Sequence, residues 1–108
     1  MTATFHGGYN AAALKTVSST VAFGDSDTIV TQANTALGEG VWIHSLVMTG
    51  DATVGAQLEI GGTVAKATSV VTYAGEAYNI GPIKNQAIVI AGNGSSGSAS
   101  YTITYEYI

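Results

Sequence analysis

The stretch Ser98-Ala99-Ser100-Tyr101-Thr102-Ile103-Thr104-Tyr105-Glu106-Tyr107 alternates without a break. Ala99, Tyr101, Ile103, Tyr105 and Tyr107 hold one parity; hydroxyl residues and Glu106 hold the other. A period of two, carried by β-branched and aromatic residues, is the pattern of a half-buried strand. A helix would scatter these tyrosines around its circumference. The odd positions should face a core, which places Tyr101 and Tyr105 inside, while Glu106 takes the outward parity.

The same pattern recurs upstream. Val54, Ala56, Leu58 and Ile60 alternate with Gly55, Gln57 and Glu59, and Val17, Val21 and Phe23 share one parity in Leu14–Phe23. Val41–Met48 is apolar on both parities, as expected of a strand covered on both faces, and Asn85–Ala91 reads similarly. Turn signals punctuate these runs: Gly24-Asp25-Ser26-Asp27, Gly38-Glu39-Gly40, Gly50-Asp51, Gly61-Gly62, Ala74-Gly75-Glu76, Gly81-Pro82 and Gly92–Gly97. Short strands with turns every eight to twelve residues predict an all-β, antiparallel β-sandwich. The expected strands are 14–23, 28–35, 41–49, 53–60, 63–68, 70–74, 77–83 with 86–91 following, and 98–108. About eight strands fit a jelly-roll-like, two-sheet architecture.

Residues 1–13 differ from the rest. They hold Gly7-Gly8 and the ring side chains Phe5, His6 and Tyr9. We read them as an N-terminal arm ahead of a single β-sandwich domain, 14–108. Aromatic residues are enriched at interfaces. Phe5, His6 and Tyr9, with Trp42 and Tyr107, are therefore the candidate protein-interface residues.

Composition narrows the function. Of 108 residues, 46% are hydrophobic and 9% charged, against about 25% charged in ordinary globular chains. Ser, Thr, Gly, Asn and Ala must cover the surface, and a weakly charged exterior suits a subunit packed against neighbours. There is no arginine, and Lys15, Lys66 and Lys84 are far apart, so phosphate neutralisation has no basis and no nucleic-acid partner is expected. The same scarcity argues against anionic membranes. No apolar run approaches a bilayer span, and Met1–Leu14 lacks the basic start and apolar core of a secretory signal. We expect a protein soluble as made. Cysteine is absent, which removes disulfides and thiol chemistry.

The apparent motifs carry no chemistry. Gly92-Asn93-Gly94-Ser95-Ser96-Gly97 matches G-x-G-x-x-G, but a strand pattern follows where a dinucleotide site needs a helix. It reads as a hairpin loop. Asp25 and Asp27 are too few for calcium and more naturally bond their own turn. His6 and His44 are the only histidines, short of a structural zinc set, and His44 reads as a hydrogen-bonded or interface residue. No nucleophile elbow or carboxylate pair assembles a catalytic constellation. No enzyme activity, metal or cofactor is expected.

The run from Trp42 to Ile108 includes VGAQLEIGGTVAKA (54–67) and NIGPIKNQAIVIAGNGSSGSASYTITYEYI (79–108). A proline-preceded strand, a Gly/Ser-rich loop and a tyrosine-bearing final strand in this order resemble small all-β virion proteins of tailed bacteriophages, of the capsid decoration (cement) type. The resemblance covers about two-thirds of the chain and supplies no site residues. It implies a homo-oligomer, with a trimer favoured, made in the host cytoplasm. It would sit on the outer surface of the capsid, bound to the major capsid protein. The alternative is a receptor- or glycan-binding module of a tail fibre or adhesin. In that reading Tyr101, Tyr105, Tyr107 and Trp42 would form a stacking platform.

Overall fold

A computed structural model describes residues 14–49, 54–67, 73–76, 80–94 and 97–108. The strands are β1 (Lys15–Ala22), β2 (Ser26–Val30), β3 (Val41–Thr49), β4 (Val54–Ile60), β5 (Thr63–Ala67), β6 (Tyr73–Glu76), β7 (Ile80–Ile83), β8 (Ile88–Gly94) and β9 (Ser98–Tyr107), with one helical turn, α1 (Gln32–Thr35). The fold is all-β. One sheet runs β1-β9-β3-β6, with β7 also on β3; the other runs β2-β8-β4-β5. Every pairing between these strands is antiparallel.

The pairings are nested. β4 and β5 form a hairpin across Gly61-Gly62; outside it β3 pairs β6 and β7, β2 pairs β8, and β1 pairs β9. This is one long antiparallel ribbon. Rolling it brings β9 onto β3 and β8 onto β4, closing two four-position sheets. β6 and β7 meet different ends of β3 and share one position, so nine segments fill the eight positions of a jelly roll.

The core lies between the sheets. Val21, Val41, Ile43, Leu46, Met48, Ile83, Ala99, Tyr101, Ile103 and Tyr105 enter it from one side, and Val30, Ala56, Leu58, Ile88 and Ile90 from the other. Each of the buried Val, Ile, Leu and Met side chains contributes about 1.5–3 kcal/mol on burial. β9 lies between β1 and β3, so its inward row from Ala99 to Tyr105 is buried throughout, as its alternation predicts.

Several expectations need correcting; the turns read at Ala74-Gly75-Glu76 and Gly81-Pro82, for instance, fall within β6 and β7. First, the strand expected over 28–35 ends at Val30, and the chain turns into α1. Thr31 caps that turn by accepting the Asn34 N–H at 3.2 Å. Buried Thr35 keys it to the β7–β8 connection, its hydroxyl 2.9 Å from both the carbonyl oxygen and the N–H nitrogen of Gln86. Second, β3 is not covered on both faces. Its register steps from Ile43–Tyr105 to Ser45–Thr104, making His44 a bulge, and the buried parity changes from Val41 and Ile43 to Leu46 and Met48. A parity switch therefore produced an apolar run at both parities, and Val47 is exposed.

Third, the Gly92–Gly97 loop is shorter than expected, because β8 continues through Gly94, with Gly55 opposite Asn93 and Ala56 opposite Gly92. Gly92 is required there. A Cβ would run into the Ala22 carbonyl where the chain crosses from β1 to the other sheet. Fourth, Phe23 sits at that crossing and is exposed rather than buried with Val21. The expected strand edges at 68–72 and 77–79 lie outside the described residues.

Candidate functional site

The outward face of the β1-β9-β3 sheet is the most ordered chemical feature among the described residues. Three cross-strand rows follow from the register: Thr16–Thr104–Ser45, Ser18–Thr102–Val47 and Thr20–Ser100–Thr49. Eight of these nine positions carry hydroxyls and none carries a charge. Sheet geometry spaces the grid at about 4.8 Å between strands and about 6.7 Å along them. Thr16 and Thr104 hydroxyls lie 3.2 Å apart and those of Ser18 and Thr102 lie 2.9 Å apart, so neighbours satisfy one another laterally. Such pairs add a few tenths to about 1 kcal/mol each.

Beyond the grid the same face changes character. Trp42 pairs with Glu106 across β3 and β9, and the bulge swings His44 towards the same carboxylate. His44 Nε2 lies 2.9 Å from Glu106 Oε1, the geometry of an imidazole N–H donating to a carboxylate. Glu106 is 1% exposed despite its outward parity. Trp42 is half-buried, and a Cβ on Gly81 would stand 2.9 Å from its ring, so β7 packs its glycine directly on the indole. The expectation of a hydrogen-bonded His44 holds. That its acceptor would be Glu106 could not be foreseen, because the partners are 62 residues apart and only the bulge aligns them.

The candidate residues do not assemble into one patch. Phe5, His6 and Tyr9 lie outside the described residues. Trp42 faces outward, whereas Tyr107 continues the inward row beyond Tyr105. It lies opposite Val41, its ring 6.1 Å from that of Tyr105 and tilted 74° to it. Tyr101 and Tyr105 are core residues, as the alternation predicts, and are not available as a stacking platform.

The Tyr101 hydroxyl donates to Asp27 Oδ2 at 2.7 Å. Burial, reinforced by this bond and the nearby carboxylate charge, pushes the phenol up to about 12. Burial also raises the Tyr105 phenol. Asp27, read from sequence as a turn carboxylate, is instead a β2 residue opposite Ile90 that satisfies a core tyrosine. On the other sheet's outer face, Asn93 donates to Gln57 at 2.9 Å and Gln57 donates to Glu59 at 2.7 Å. Among the described residues there is no pocket and no group of three His, Asp or Glu side chains placed to share a metal. No helix is long and apolar enough to cross a membrane.

No protein-family description and no curated protein matches the sequence. Among solved structures, the chain is similar to a subunit of Bacillus endospore appendages, described as disulfide-linked pili. That match has 12% identity and a TM-score of 0.47, over 99% of this chain and 96% of the other. It is also similar to the Tobacco streak virus coat protein, solved as a dimer, at 12% identity and a TM-score of 0.37 over 89% and 86%. At these values neither likeness bears on function.

Proposed function

We propose that this chain is a non-enzymatic structural protein of a virion, a capsid decoration (cement) protein that binds the outer shell through the major capsid protein and stabilises it. The observation that carries the reading is the uncharged hydroxyl grid of the β1-β9-β3 face, presented on a rigid double sheet. Such a face presents no charge to desolvate, so close packing against a neighbouring protein costs little electrostatically. Phe23 and Leu37 at the sandwich ends and Val64 on β5 add exposed apolar area of the kind that interaction sites use. Repetition over a shell turns modest individual contacts into firm attachment. In this reading the domain spans 14–108 and residues 1–13 act as an arm reaching a neighbouring subunit.

Mass spectrometry of purified virions tests the assignment. Copy numbers comparable with the major shell protein support decoration. A handful per particle would assign the chain to the tail, and absence from the particle would refute the reading.

A further inference from the structure

The four sheet edges differ in how they are protected. β2 has five residues, a register shift between Thr28 and Val30, and Asp27 within it. β5 also has five, carries Lys66 and pairs across a register shift. The opposite edge of the larger sheet is divided into β6 and β7, four residues each, with Pro82 in β7 and irregular pairing in both. Short strands, bulges, charge and proline are the devices that stop an edge from recruiting another strand. β1 has none of them beyond Lys15 at its start. It runs eight residues in unbroken register from Lys15–Tyr105 to Ala22–Ser98, and among the described residues β9 is its one partner. Thr16, Ser18, Ser19 and Thr20 are exposed. In an antiparallel pair about half of a strand's N–H and C=O groups point away from its partner. From Thr16 to Ala22 these form an uncharged template in continuous register.

We propose that β1 is a docking edge for a second copy of this chain, pairing antiparallel with the partner's β1 about a two-fold axis near Ser18. The occupant follows from the strand's own side chains. Ser18 would face Ser18 of the partner subunit and Thr16 would face the partner's Thr20, pairs that hydroxyls favour across strands. The strand's single charge, Lys15, would face the partner's Val21, whereas a parallel pairing would set lysine against lysine. The contact is isologous and closes on itself. It joins the two hydroxyl grids into one continuous face and gives two copies, or even numbers of them, rather than the three implied by the cement-protein resemblance. The inference rests on the homo-oligomer expected from the sequence but places the contact at an edge, and it is testable without a virion.

The experiment is sedimentation equilibrium of the full chain over a wide concentration range, with Ser18→Lys, Ser18→Glu and Val47→Lys variants and thermal melts of each. Ser18 and Val47 are both exposed and share a row of the grid, but Val47 is two strands from the edge. The proposal expects a monomer–dimer equilibrium, weakened at least about tenfold in each Ser18 variant by like charges placed opposite one another. An equimolar mixture of the two Ser18 variants should recover dimer, Val47→Lys should not matter, and the melts should agree. Single chains at every concentration, association abolished by Val47→Lys but not by the Ser18 variants, or open-ended growth would each overturn the β1 pairing. Virion copy number decides the decoration reading separately.

Discussion

The outward row of β9 contains two contrasting regions. From Ser98 to Thr104 it is a line of hydroxyls, exposed or half-exposed and bonded sideways to β1; two residues further on, Glu106 is buried and held by His44. Parity is identical along the row, so alternation determines which face a side chain takes but not whether water reaches it. The difference comes from the neighbours. Opposite the hydroxyls β3 is regular, whereas opposite Glu106 it bears Trp42 and the His44 bulge, with β7 lying alongside.

Substitutions at four positions would break or sharpen this contrast. The largest effect should come from the inward row: Ile103→Ala empties a fully buried site between Val17 and Leu46 and should cost about 3–4 kcal/mol in urea unfolding. At the buried end of the outward row, Glu106→Ala leaves His44 without this acceptor and should cost about 2–3 kcal/mol, with Glu106→Gln recovering part of it. Equal, negligible losses for both Glu106 variants would show that this end of the row behaves like the hydroxyl end.

Tyr101→Phe removes the bond to Asp27 and should cost about 1–2 kcal/mol at neutral pH. Its pH dependence has a definite sign. The folded phenol titrates near 12 and an unfolded one near 10, so the unfolded chain releases its proton first. Tyr101 therefore supports the fold fully below pH 10 and loses that support as pH rises from 10 to 12. The melting temperature of the wild type should fall more steeply through that interval than that of Tyr101→Phe. The smallest effect belongs to the hydroxyl end: Thr102→Ala, which removes the pair with Ser18, should change stability by no more than about 1 kcal/mol. A loss as large as that of Glu106→Ala would mean the grid is a structural element and not a free face.

Where a strand runs centrally and regularly, its inward residues could be read directly from the sequence. β9 is the clearest case, and Ala56 with Leu58 in β4 is another. Reading failed where a local device broke the period. The β3 bulge put apolar residues at both parities and imitated a strand buried on both faces. The Thr31 cap converted an expected strand into a helical turn, and the Gly/Ser stretch after Ile90, suggestive of a loop, continued as a ladder against β4. The candidate site was legible one strand at a time: the hydroxyl alternation of β1 and β9 is visible in each segment alone.

By itself, then, the sequence determined the strands' period, the scarcity of charge, the absence of cysteine, and the identity of the tyrosines that face inward, because these depend on composition or on residues close together in the chain. Only the tertiary structure decided that β1, β9 and β3 lie side by side, that Glu106 meets His44, that Asp27 meets Tyr101, and that β1 pairs only with β9 among the described residues. Those outcomes depend on register between segments tens of residues apart. One bulged residue resets that register, and no local pattern encodes it.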